Sequence, residues 1–210
     1  MTLSFAKLSD LIQIAEPPAG MNTKIIAIDG CGGAGKSTLA AAVSKLLNNC
    51  PVIHTDDFAS WDNSQSWSPR ILAQVLEPLR QGKKARFQRY DWSKRALDNW
   101  LGVEPQEFVI IEGVSSARRE FRPYLAFSIF VQTDRSLRLT RGLERNGEQA
   151  RTQWLDWMRQ EDEYILRDQP EEFVDIVVAG TQWQESENLT CFGGKAIEMP
   201  SKVSPHSTVP

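Results

Sequence analysis

The stretch Lys24-Ile25-Ile26-Ala27-Ile28-Asp29-Gly30-Cys31-Gly32-Gly33-Ala34-Gly35-Lys36-Ser37-Thr38 decides the fold. Ile25 to Ile28 form an apolar, partly β-branched run, the composition of a buried strand. Gly30 to Ser37 fits G-x-x-x-x-G-K-[ST], the phosphate-binding loop pattern. Beyond it, Thr38 to Leu47 is rich in helix formers. Strand, glycine loop and helix are the context that pattern requires. The glycines let successive N–H groups converge on phosphate oxygens, and the helix N-terminus adds partial positive charge. Gly30, Gly32, Gly33, Ala34, Gly35, Lys36, Ser37 and Thr38 are thus the candidate nucleotide-binding residues. Lys36 is expected to reach the outer phosphates and Ser37 to ligate Mg²⁺, so ATP and Mg²⁺ are the expected ligands.

The rest of the composition narrows the class. The 24 basic and 27 acidic residues among 210 give a net charge of −3 and no global basic field for nucleic acid or an anionic membrane. No apolar run approaches the ~18 residues of a membrane span. The N-terminus lacks a charged-then-apolar signal pattern, and Cys31, Cys50 and Cys191 lack metal-ligand spacing. We read free thiols in a reducing, cytoplasmic setting. His54 and His206 are the only histidines, too few to favour a zinc site or a Ser-His-Asp triad.

Outward from the loop, residues 1–20 predict a packed helix, with Leu3, Leu8, Leu11, Ile12 and Ala15 at helical spacing before Pro17-Pro18. Val52 to Thr55 predicts a second strand ending in Asp56-Asp57, at the sheet edge where open α/β folds bind ligands. Both carboxylates are candidates: Asp56 as a general base, Asp57 for substrate or for Mg²⁺ through water. Their alternative is an ordinary turn. Ser68-Pro69 starts a helix running to about Arg80. Arg89-Tyr90-Asp91-Trp92-Ser93-Lys94-Arg95 packs aromatics, an acid and cations tightly. It suits either a planar polar ligand or a loop–core contact. Glu107 to Gly113 reads as a third strand whose terminal acid, Glu112, is placed to orient Mg²⁺ or its water. Ser128 to Val131 and Phe173 to Val178 read as the fourth and fifth strands. Between them, Arg138, Arg141 and Arg145 share one helix face, either solvated beside Glu144 or clamping phosphate. Trp154, Trp157 and Met158 read as core. The expected domain spans residues 21–180, and residues 181–210 read as a poorly ordered tail.

Strand–helix alternation with a phosphate loop after the first strand predicts a three-layer α/β/α fold with a parallel sheet. Taken in order, Ile26 to Gly30, Gly35 to Thr38, Asp56-Asp57-Phe58, Tyr90-Asp91-Trp92, Ile110 to Gly113 and Arg138 to Arg141 resemble the uridine kinase-like family of P-loop kinases. That group includes phosphoribulokinase, pantothenate kinase and nicotinamide riboside kinase. The resemblance covers about residues 22–180. It implies five parallel strands in the order 2-3-1-4-5 with a small helical lid. It also implies ATP-dependent transfer of a phosphoryl group to a sugar hydroxyl. By the same resemblance Asp56 is the base, Asp62 holds ribose hydroxyls, Tyr90 and Arg95 face the nucleobase, and Arg141 and Arg145 are lid arginines acting with Lys36. A nucleotide kinase or a non-catalytic nucleotide-binding protein are the alternatives. The chain departs from the family at Arg95, where a histidine is usual, and in its shortened lid, Arg145-Asn146-Gly147-Glu148.

Replacing Lys36 by alanine is expected to weaken ATP binding by about 1.5–3 kcal/mol, the worth of a charge-assisted contact. Titration calorimetry measures it, and unchanged affinity and turnover would place the nucleotide elsewhere.

Overall fold

A computed structural model describes residues 1–60, 63, 66–180 and 188–196. Trp61 and Asp62 lie outside the described residues, as do 181–187 and 197–210.

The chain opens with a short strand, β1 (Thr2–Ser4), and α1 (Phe5–Ile14), whose N-terminus is capped by the Ser4 hydroxyl. The decisive stretch forms β2 (Lys24–Asp29), the glycine loop and α2 (Lys36–Leu46). Then come β3 (Val52–His54) and a 3₁₀ turn at Thr55–Asp57. The helical segment predicted after Ser68-Pro69 is present in three pieces: α3 (Ser68–Ile71), a π-helical turn (Leu72–Leu76) and α4 (Glu77–Arg80). Next stand β4 (Ala85–Asp91), β5 (Ala96–Val103), β6 (Phe108–Glu112) and β7 (Leu125–Gln132). The C-terminal half adds α5 (Arg135–Asn146), α6 (Arg151–Asp168), α7 (Pro170–Phe173), β8 (Ile176–Ala179) and β9 (Asn188–Gly193).

Among the described residues the main sheet has seven strands, ordered β1-β9-β8-β7-β2-β6-β3. β3, β6, β2, β7 and β8 pair in parallel, while β9 and β1 extend one edge antiparallel. The five-stranded expectation is thus enlarged by two strands. One comes from the N-terminal segment and one from the presumed tail, where Leu189 and Cys191 turn inward and are buried. β2 occupies the centre. Its alternate residues feed opposite layers: Ile26 and Ile28 pack with α1 and α2 residues such as Leu8, Ile12, Leu39 and Val43. Ile25 packs with Ile71, Val75, Leu79 and Phe121 on the other face. Strands covered on both faces need apolar residues at every position, and this is the pattern β2 and β6 carry.

The segment from Ala85 to Val103 is an antiparallel hairpin of β4 and β5. The aromatic and cationic cluster there is therefore strand and turn. Asp91 makes the turn: one of its carboxylate oxygens accepts from Ser93 N at 2.9 Å, Ser93 Oγ at 2.6 Å and Lys94 N at 3.0 Å. Arg95 closes that turn at φ +53°.

Leu189→Ala tests whether β9 belongs to the fold. Removing this fully buried side chain should cost about 2–5 kcal/mol in urea denaturation, whereas a dangling tail would leave the midpoint unmoved.

Candidate active site

The parallel strands end at one edge, where the glycine loop after β2, the 3₁₀ turn after β3 and the loop after β6 meet. There a cleft of about 560 Å³ opens. Its lining includes Gly32, Gly33, Gly35, Lys36, Ser37 and Thr38 from the loop and α2, Asp56 from the turn, and Glu112 from β6. Gly35 caps α2 at φ +101°, so the first-turn amides of the helix face the cleft. Lys36 is buried and donates through Nζ to Cys31 O at 3.0 Å. Ser37 Oγ donates to Glu112 Oε1 at 3.2 Å, and the other Glu112 oxygen meets His54 Nδ1 at 2.6 Å. Burial by itself would push the Glu112 carboxyl up. The His54 contact, the Lys36 charge and Ser37 outweigh it and hold the group below its ordinary value. A hydroxyl and an ionised carboxylate side by side are hard oxygen donors that suit Mg²⁺, which takes few protein ligands and completes its shell with water and phosphate. Ser37 and Glu112 therefore fit the metal expected from the loop.

The side of the cleft facing Asp56 is aromatic. Trp67 and Trp92 line it, and Trp92 Nε1 donates to Asp56 O at 3.2 Å, tying the hairpin to the turn. Asp56 and Asp57 lie on a 3₁₀ turn and not on extended chain. Side chains on such a turn separate by about 120°. Asp56 lines the cleft and Asp57 does not. Burial raises the Asp57 carboxyl, against the pull of His54 and Arg89. Tyr90 is buried against Trp92, ring centroids 5.3 Å apart, and lies outside the cleft lining. Arg95 sits exposed at the hairpin turn, also outside that lining. Trp92 thus stands at the cleft where the resemblance put Tyr90 and Arg95, because the hairpin turns them elsewhere.

The opposite wall comes from α5 and α6. Arg141 Nη1 donates to Gly33 O at 3.1 Å and Gly180 O at 3.0 Å. Arg145 lies 5.4 Å from the Trp154 ring centroid, and Arg138 pairs with Glu161 at 3.0 Å. Arg138 and Arg141 thus turn toward α6 and the loop and not toward Glu144, while Arg145 stays exposed with its guanidinium over the Trp154 ring. Two glycines permit this. A Cβ on Gly33 (φ +76°) would stand 2.6 Å from Arg138 O, and one on Gly142 would stand 2.4 Å from the Trp154 ring. Trp154 is core, as its spacing predicts, but it also lines the cleft with Trp157, Gln160, Glu161 and Tyr164.

Residues 26–167 match the family model described as an AAA domain. The chain belongs to this AAA domain family. Within the family its sequence is similar to curated uridine kinases. That of Macrococcus caseolyticus is 27% identical over 145 residues, covering 60% of this chain and 70% of the relative. That of Streptococcus agalactiae is 23% identical over 172 residues, covering 72% and 80%. The fold is also similar to those of solved structures. A possible uridine kinase from Bacillus stearothermophilus has a TM-score of 0.59 at 21% identity, covering 82% of this chain and 96% of that one. A D-glycerate 3-kinase from Cryptococcus neoformans has a TM-score of 0.58 at 14% identity, covering 90% and 99%. The resemblance to uridine kinase-like P-loop kinases stands, with the mixed α/β fold it implies.

Sequence reasoning passed over Asp29, His54, Glu161 and Tyr164. Asp29 is fully buried and accepts from Gly30 N (2.6 Å), Ser115 N (2.9 Å), Ala117 N (2.8 Å) and Tyr164 Oη (2.5 Å). An acid closing an otherwise apolar buried strand was the available signal. The others depend on partners distant in the chain.

The His54–Glu112 pair makes stability depend on pH. The contact with Glu112 raises His54 above its ordinary 6.5, so its stabilisation is complete below 6.5 and is lost as pH rises through the raised value. Urea denaturation should show His54→Gln less stable than wild type near about pH 5.5, with the gap closing toward about pH 9. A gap that is constant or widens with pH contradicts the pairing.

Proposed function

We propose that the chain is an ATP-dependent small-molecule kinase that transfers the terminal phosphoryl group to a hydroxyl, with a nucleoside of the uridine or cytidine type as acceptor. One observation carries this reading: a single cleft holds the phosphate-loop residues Lys36 and Ser37 together with Asp56. A carboxylate in the same cleft as the phosphate loop is what an acceptor hydroxyl needs in order to lose its proton.

Phosphoryl transfer leaves the protein mainly positioning and charge stabilisation. In this reading Lys36 leaves Cys31 O for the outer phosphates, and the first-turn amides of α2 share their charge. Mg²⁺ held by Ser37 and Glu112 would neutralise developing charge on the phosphate oxygens. Asp56 accepts the proton of the acceptor hydroxyl as that oxygen bonds to phosphorus and the bond to the departing ADP breaks. Arg141, at the mouth of the loop, supplies positive charge there, and Arg145 lines the cleft beyond it. Trp67 and Trp92 give the acceptor's ring a flat apolar bed. The nucleotide-kinase alternative draws less support. Arg89 and Arg95, which could meet the phosphate of a phosphate-bearing acceptor, do not line the cleft.

Asp56→Asn preserves shape and removes the basic oxygen. With uridine or cytidine as acceptor, kcat should fall by about 10²–10⁴-fold while ATP affinity holds. If Asp57→Asn produces that loss and Asp56→Asn does not, the two residues exchange roles. If neither does, the base assignment fails.

A further inference from the structure

Two successive residues of the phosphate loop are gripped by two different helices. α5 holds Gly33 through Arg141, and α6 holds Gly32 through Glu161. Glu161 Oε1 accepts from Gly32 N at 2.7 Å, and its Oε2 meets Arg138 Nη1 at 3.0 Å. Arg138 Nε is anchored on Thr133 O at 3.1 Å. The two side chains are only 8% and 9% exposed, so solvent screens the pair little. Glu161 itself lines the cleft beside Lys36.

A carboxylate set beside a polyphosphate site opposes the ligand unless a cation balances it. Arg138 supplies that balance, and in doing so its own charge is withheld from the phosphates. Resting on the kinase reading above, we propose that Glu161 is a positioning residue with two linked effects. It holds the loop at Gly32, and with Arg138 it forms a neutral clamp that limits ground-state affinity for the nucleotide. Binding energy spent equally on ground state and transition state does not raise turnover. A cation kept from the resting phosphates therefore serves catalysis better than one that clamps them.

The charges give a signed test. Glu161→Gln keeps an oxygen for the Gly32 amide but leaves Arg138 unbalanced. It should tighten ADP binding by about 10-fold, the effect of one unit charge at partly screened distance. Arg138→Gln leaves Glu161 unbalanced and should weaken ADP binding by a similar factor. The double variant restores neutrality and should lie within about threefold of wild type. A purely structural role would only weaken binding. Calorimetric titration with ADP and Mg²⁺ reads all four proteins, and Glu161→Gln stands alone if Arg138→Gln does not fold. Separately, the ¹⁵N–¹H signal of Gly32 in the nucleotide-free protein should move in Glu161→Leu far more than in Glu161→Gln. ADP binding that is unchanged or weaker in folded Glu161→Gln overturns the clamp, and a Gly32 signal indifferent to Glu161→Leu overturns the loop contact. A wild-type protein that binds no ADP, yet whose Gly32 signal answers to Glu161→Leu, overturns the kinase reading and leaves the loop contact standing.

Discussion

One buried carboxylate organises the site. Asp29 ends the central strand with no exposure to solvent, and four donors from three segments converge on it: Gly30, the Ser115–Ala117 loop after β6, and Tyr164 of α6. Burial raises its pKa, and Tyr164, Ala117 and Gly30 pull the other way. A carboxylate is acceptor-only, so it can satisfy all four at once, which no neutral side chain of its size does. Removing it would strand buried donors at about 1–3 kcal/mol each. Because these segments share one acceptor, the glycine loop, the end of β6 and the wall of α6 cannot move independently. The cleft is what lies between them.

The charges around that cleft are arranged in pairs. Lys36 rests on the loop's own carbonyl, Glu112 on Ser37 and His54, and Arg138 on Glu161. Arg141 spans the loop and Gly180. Each pairing lowers the cost of holding a charge near an apolar sheet edge. Cys31, inside the loop, is pushed up to about 12, chiefly by burial. Its thiol therefore stays protonated amid these charges and acts as a small packing residue.

The parts legible in the sequence were those set by neighbours in the chain. β2, the glycine loop and α2 follow from a local pattern, and so do the apolar runs of β6, β7 and β8. The hairpin was hidden because β5 is largely exposed, so Ala96 to Val103 shows no alternation of apolar and polar residues. β9 was hidden because a strand of six residues near the sheet edge buries only Leu189 and Cys191. Asp56-Asp57 read either as a functional pair at a strand end or as an ordinary turn, and the structure places both on a 3₁₀ turn. Glu161 meets Gly32 across 129 positions and Tyr164 meets Asp29 across 135, and no local pattern carries such pairings. Where the resemblance named Tyr90 and Arg95, the hairpin bulge and turn redirect both, and Trp92 takes the cleft-facing place.

The central claim is that this cleft moves a phosphoryl group to a hydroxyl. Its most direct test supplies ATP labelled in the terminal phosphate, with Mg²⁺ and one acceptor at a time from nucleosides, nucleotides, pantothenate and sugars, and follows the label. The account predicts label appearing as a phosphoester of a hydroxyl-bearing acceptor, uridine or cytidine first, at a rate that depends on that acceptor. Label released only as inorganic phosphate at one rate with every acceptor, or retained wholly in ATP, would contradict it.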